Sequence, residues 1–182
     1  MFGSEGMTGK PMGKTGKKLI MAAGVGLSFV AATYVVDVNI RRGTAAKEAR
    51  EYADSVGKPM LNVGAGTAGT ALFGATTYGD VNCDIGNQDS CDVNPQACHC
   101  DITDMSQFPD KHFGSVLASH VVEHVVDYKA ALAELHRVAD KVFIITPSWW
   151  ALHTWLYPDH KWYFPDGHGG GTPTRLSYLE KV

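Results

Sequence analysis

Apolar and polar positions change rhythm along this chain, and each change marks an element. Residues 19–36, LIMAAGVGLSFVAATYVV, form a run of 18 residues without a charge. As a helix that run would reach about 27 Å, close to the hydrocarbon thickness of a bilayer. Lys17 and Lys18 flank one end, Arg41 and Arg42 the other, and Tyr34 sits near a boundary where amphipathic rings are favoured. The pattern predicts a transmembrane helix over 19–40, behind a flexible basic tail at 1–18. A cleavable signal peptide is a rival, but the run is long for one. A buried core helix is the other rival, and Gly24 and Gly26 would each cost it about 1 kcal/mol in water. Charge leaves the orientation open. Lys10, Lys14, Lys17 and Lys18 on one side balance Arg41, Arg42, Lys47 and Arg50 on the other.

The rhythm then becomes helical. Ala45, Ala49, Tyr52 and Val56 fall on one face, Thr44 is placed to cap and Gly57 to terminate. This predicts an amphipathic linker helix over 44–57, broken by Lys58 and Pro59. From residue 60 short apolar runs alternate with helical or looped links. Strands are predicted at 60–63, 77–84, 97–101, 115–119 and 141–146, the last ended by Pro147. Helices are predicted at 67–73 and 127–139, the second capped by Asp127. Alternating strands and helices argue an α/β domain over 58–182, with a doubly wound, mostly parallel sheet.

In such a sheet a ligand binds beyond the carboxyl ends of the strands. The chemistry-bearing residues fall there. Gly64, Ala65 and Gly66 follow strand one, Asp84 ends strand two, Asp101 ends strand three and His120 follows strand four. Glycines let backbone approach a ligand. Asp84, 20 residues beyond Gly64, is placed to accept hydrogen bonds from ribose hydroxyls. Asp101 could accept from an exocyclic amine, with Ile102 against the face of the base. The phosphate-gripping GxxxxGK[ST] pattern is absent. The expected ligand is a nucleoside with ribose recognition.

Bulk composition narrows the partners. The net charge is −3 and the pI about 6.2, which exclude a nucleic-acid binder working through overall charge. Cys83, Cys91, Cys98 and Cys100 cluster within 18 residues. A metal knot and a disulfide patch are both alternatives, but the spacing matches no common zinc pattern. The favoured reading is reduced, semi-buried thiols in a cytosol-facing domain, with no metal.

The motifs resemble those of the class I S-adenosylmethionine-dependent methyltransferases, over about residues 60–147. "LNVGAGT" is similar to that family's first motif and "GDVNCDI" to its second. The segment from "HCDITD" through "ASHVVEH" to "KVFIITP" is similar to the third motif through strand five. The resemblance implies a Rossmann-like methyltransferase fold with S-adenosylmethionine as cofactor. It implies that Asn62, Gly64, Ala65 and Gly66 border its methionine end. Asp84 with Ile85 would hold the ribose, Asp101 and Ile102 would frame the adenine, and His120 would stand nearby. No catalytic base is assigned; Glu123 and His124 are expected either to support the site from behind or to serve at a helix start.

The chain departs from the family in places. Asn62 stands where an acid is usual, the third glycine falls late at Gly69, and Gly114 replaces the usual "FD". Only 35 residues follow Pro147, so the fold is expected to be abbreviated at its C-terminus, with one strand at 160–164. That tail holds Trp149, Trp150, Trp155 and Trp162 with His153, His160 and His168. Its aromatics either border an acceptor pocket or cover a sheet edge, a protein partner or the bilayer interface. The expected function is a membrane-anchored methyltransferase, held through 19–36 with its domain in the cytosol, acting on a small-molecule or lipid-like acceptor. The alternative is a methyltransferase-like subunit with weak or lost catalysis that serves assembly. A dehydrogenase-type dinucleotide domain is disfavoured by "SHVVEH" and the missing GxGxxG spacing.

Overall fold

A computed structural model describes residues 26, 28–29, 32, 39–67, 76–148, 154–155, 158–165 and 174–175. The predicted helix at 67–73 lies outside these residues apart from Thr67, and so does most of the apolar run at 19–36. Gly26, Ser28, Phe29 and Ala32 are helical and exposed. Among the described residues no helix is long and apolar enough to cross a membrane.

The chain order is α1 (Arg41–Val56), β1 (Met60–Val63), β2 (Val81–Asp84), β3 (Cys98–His99), β4 (Phe113–Ser119), a 3-10 turn (Val122–His124), α2 (Tyr128–Val138), β5 (Ala139–Ile145), β6 (Trp162–Tyr163) and β7 (Thr174–Arg175). The first five strands form one parallel sheet in the order β3-β2-β1-β4-β5. Strand order therefore reverses between β1 and β4, and a crevice opens at their carboxyl ends. This is the α/β doubly wound sheet the alternation predicts. β6 and β7 form a separate antiparallel ribbon.

Both faces of the sheet are covered, which is why its central strands are mostly apolar and buried along their length. All four residues of β1 and all seven of β4 are buried. Side chains alternate between the faces. Leu61, Val63, Val116 and Ala118 share a core with Ala131, Leu135 and Val138 of α2. Met60, Leu117 and Ile145 pack instead on Ala45, Ala46, Ala49 and Ala53 of α1. Each fully buried large aliphatic contributes about 1.5–3 kcal/mol.

The helix at 44–57 is therefore not a linker but one layer of the domain. Its buried face consists of alanines; Val56 is exposed and Tyr52 half-buried. Small residues are needed because α1 lies almost on the sheet. A Cβ on Gly114 would stand 2.8 Å from Val56 Cγ2 and 2.9 Å from Ala53 Cα. Thr44 does not cap: it lies inside the helix and its Oγ1 donates to the Ile40 carbonyl at 3.0 Å. Gly57 does terminate it, in the left-handed conformation at φ 66°. Arg41 and Arg42 are drawn into the fold. Arg41 donates to the Thr146 carbonyl and Ser148 Oγ, and Arg42 to Ser119 Oγ.

The cysteines are not reduced thiols. Cys83 is bonded to Cys100 and Cys91 to Cys98, which leaves no thiolate for a metal. The parallel register of β2 and β3 sets Cys83 beside Cys98 and brings the end of β3 to the end of β2.

Candidate functional site

The crevice beyond β1 and β4 holds a cleft of about 550 Å³. Its walls include Gly64, Asp84, Ile85, Asp101, Ile102 and His120, six of the nine residues expected at a cofactor. A larger depression of about 630 Å³ lies outside edge strand β3, around Cys91, His99 and Phe108. It lies off the switch point between β1 and β4, so the smaller cleft is the better candidate.

Gly64 carries the chain out of β1 with φ 67°, and Gly66 follows with φ 81°. A Cβ on Gly64 would run into the side chain of Val121, so that glycine also lets β4's turn close against β1's. Gly66 does not line the cleft but supports it. Its N–H donates to Asp84 Oδ2 at 2.9 Å, and the Gly86 N–H donates to Oδ1 at 2.9 Å. Two backbone donors thus fix the Asp84 carboxylate, and each oxygen keeps a lone pair to accept a further hydrogen bond. Ala65 is buried, its N–H bonded to the Cys83 carbonyl.

Asp101 is held by its own turn. Its Oδ1 accepts from the Thr103 N–H at 2.8 Å and from Thr103 Oγ1 at 2.7 Å. Its Oδ2 accepts no hydrogen bond among the described residues, which suits the amine of a base. Ile102 is nearly fully buried beside it, whereas Ile85 is exposed. The Cys83–Cys100 disulfide ties together the residues immediately before Asp84 and Asp101.

Asn62 is not in the cleft. It is buried, and its Nδ2 donates to the Thr76 carbonyl at 2.8 Å and to Asn82 Oδ1 at 3.0 Å. That amide joins β1 to β2 and to the chain entering β2.

On the β4 side, His120 adopts a left-handed backbone at φ 57°, a conformation that costs about 1–3 kcal/mol outside glycine. It turns the chain sharply, and Glu123 and His124 follow in the 3-10 turn. They are not at the start of α2, which begins at Tyr128 with Asp127 Oδ1 accepting from the Lys129 and Ala130 N–H groups. Glu123 is fully buried, with His120 Nδ1 at 3.4 Å and His124 Nε2 at 3.9 Å from its Oε1. Burial acts to raise its pKa. The close approach and charge of His120, then the charge of His124, outweigh it and hold the carboxyl below its ordinary range. His160, arriving from the C-terminal segment, is held below the usual imidazole range chiefly by burial.

Thr103, Val121, Val125 and Val126 line the cleft without a role in the sequence reading, and the meeting of Glu123 with His160 was not foreseen there. The spacing of His120, Glu123 and His124 signals one turn. The approach of His160 depends on the tail folding back, which no local pattern announces. Trp162 anchors that return: its Nε1 donates to the Val125 carbonyl at 2.9 Å and its ring meets Tyr128. Phe164 is buried beside it, whereas Trp155 stays 43% exposed. Trp149 and Trp150 lie outside the described residues.

Residues 61–142 match the family model of a methyltransferase domain. Among solved structures the chain is similar to the Burkholderia thailandensis 1,6-didemethyltoxoflavin-N1-methyltransferase, a structure with bound 1,6-didemethyltoxoflavin and S-adenosylhomocysteine. The identity is 10% and the TM-score 0.36, over 76% of this chain and 66% of that one. The chain thus spans slightly less than two thirds of that protein's length. No curated protein matches the chain. The family match agrees with the expectation of a methyltransferase domain, and the cleft carries the glycine turn and the two carboxylates that a nucleoside cofactor would need.

Proposed function

We propose that this protein is an S-adenosylmethionine-dependent methyltransferase, anchored in a membrane through residues 19–36 and acting on a small-molecule or lipid-like acceptor. The observation that carries the catalytic half is the placement of Asp84 and Asp101. They sit at the ends of adjacent parallel strands, beside a glycine turn, within the segment that matches the methyltransferase domain.

When bound, the cofactor supplies an electrophilic methyl on a sulfonium, so the protein need supply mainly alignment and exclusion of water. Asp84, pre-set by Gly66 and Gly86, would accept from the ribose hydroxyls. Asp101 Oδ2 would accept from the adenine amine, with Ile102 beneath the ring. Gly64 and Val121 would close the floor where β1 meets β4. His120 and His124 would face the transferred methyl.

Anchoring is supported by the uncharged run and by the exposure of its described residues, Phe29 among them at 62%. Cofactor supply argues for a cytosolic domain, whereas two disulfides argue for an oxidising compartment. Alkylation of thiols in intact cells, before and after reduction, decides between these sides.

Asn62 favours a second reading, an assembly subunit with weakened catalysis. Its amide is consumed within the fold and offers no carboxylate to a cationic amino group. Transfer of a labelled methyl from the cofactor to a membrane extract separates the two. The catalytic reading expects transfer that disappears in Asp84→Ala; absence of transfer with the wild type favours the assembly reading.

A further inference from the structure

Among the described residues, Glu123 is a fully buried charge with little compensation. Its side chain is fully buried, and neither carboxylate oxygen accepts a well-aligned hydrogen bond. Buried polar groups are almost always hydrogen-bonded, and a buried carboxylate left without partners is costly. What surrounds it is imidazole. Donor atoms of Glu123, His124 and His160 all lie within 4.8 Å of one another, and His120 Nδ1 stands 3.4 Å from Glu123 Oε1.

The rings are oriented in a telling way. His124 Nδ1 lies 3.1 Å from the Asp159 carbonyl, and His160 Nδ1 lies 2.9 Å from the Thr154 carbonyl. A carbonyl only accepts, so each Nδ1 carries the hydrogen. In the neutral ring the lone pair then resides on Nε2. His124 Nε2 is the atom that faces Glu123 Oε1, at 3.9 Å. A lone pair aimed at a carboxylate is repulsive unless a positive centre stands between, either a proton on Nε2 or a bound metal ion. The separation is too long for a hydrogen bond. It is comparable with the span of two metal–ligand bonds of about 2.0–2.2 Å each. Imidazoles fixed through Nδ1–H to backbone carbonyls are also how metal-ligating histidines are usually oriented.

We propose that Glu123, His124 and His160, with His120 as a further donor, form a site for one divalent transition-metal ion of the zinc or cobalt type. A carboxylate with several imidazoles suits such ions better than magnesium or calcium. The site joins the turn after β4 to the segment before β6. Those two segments are already in register: the Lys161 N–H donates to the Glu123 carbonyl at 2.8 Å, and Lys161 Nζ donates to the His124 carbonyl at 2.7 Å. The ion would therefore staple the C-terminal segment to the cleft. His120 and His124 also line that cleft, so an acceptor oxygen there could complete the coordination. That consequence rests on the methyltransferase reading; the metal site does not.

The test uses the purified full chain, stripped with a chelator and titrated with cobalt(II). The expected result is one equivalent bound, with visible absorption from an imidazole-containing site, displacement by zinc(II) and a raised Tm with zinc(II). Glu123→Gln and His160→Gln should each weaken cobalt binding at least tenfold, while both keep the wild-type circular dichroism. If one variant fails to fold, the other carries the comparison. No cobalt binding, or binding that neither variant weakens, overturns the site and leaves Glu123 compensated by imidazolium. If S-adenosylhomocysteine fails to bind but the cobalt titration behaves as expected, the methyltransferase reading falls and the metal site stands.

Discussion

The two walls of the cleft treat their carboxylates in opposite ways. On the β2–β3 wall, Asp84 is braced by two backbone N–H groups and Asp101 by the N–H and hydroxyl of Thr103, and a disulfide joins the strand ends behind them. Behind the β4 side, Glu123 is buried more deeply than either, and the side chains that approach its carboxylate are the imidazoles of His120 and His124. A braced, partly exposed carboxylate is suited to reading neutral hydroxyls and amines. An unbraced, buried one is suited to a positive charge. The difference between the two sides is set by where the backbone donors point.

The contrast can be broken from either side. The largest effect should come from the staple. Cys83→Ser with Cys100→Ser removes a cross-link spanning 17 residues and should cost about 3 kcal/mol in denaturant unfolding. It should weaken cofactor binding while sparing cobalt binding; a loss on the β4 wall instead would mean that the walls are not independent. Asp84→Ala comes next. Hydrogen bonds to charged groups contribute about 1.5–3 kcal/mol, so cofactor affinity should fall roughly 10- to 100-fold. Calorimetry with S-adenosylhomocysteine reads this directly.

Two substitutions away from both walls sharpen the contrast by leaving each intact. Gly114→Ala pushes a methyl into the α1 contact and should cost about 1–3 kcal/mol of stability, with binding at the cleft unchanged. Glu134→Gln should cost about 1 kcal/mol. Glu134 binds Arg137 through both oxygens, and its Oε2 also accepts from the Met105 N–H at 2.7 Å. The Arg137 hydrogen bonds, outweighing burial, hold this carboxyl below its ordinary value of 4.5. A depressed folded pKa contributes stability that is present above 4.5 and lost as pH falls through the folded value. The wild-type Tm should therefore drop more steeply than that of Glu134→Gln below pH 4.5. Equal slopes would show that Glu134 carries no such linkage.

The sheet was legible in the sequence wherever burial was continuous. β1 is read to the residue because a short, mostly apolar run meets a glycine turn. β2 is shorter than its pattern, since Asn82 Oδ1 accepts from the Gly79 N–H and the Met60 carbonyl from the Asp80 N–H, bending those residues out of the strand. The face of α1 was misread because Tyr52 and Val56 look apolar in sequence. The sheet selects alanines there, through the close approach at Gly114. Asp84, Asp101 and His120 were legible from their positions after strands. The disulfides join Cys83 to Cys100 and Cys91 to Cys98 rather than the register neighbours Cys83 and Cys98, and the meeting of Glu123 with His160 follows from tertiary return of the tail. Neither leaves a local pattern to read.

The central claim is that the cleft at the β1–β4 switch point binds S-adenosylmethionine. Titration calorimetry of the purified chain with that cofactor tests it most directly. One equivalent should bind, with affinity reduced at least tenfold in Asp84→Ala. No heat of binding at millimolar cofactor, in a protein whose circular dichroism shows it folded, would contradict it.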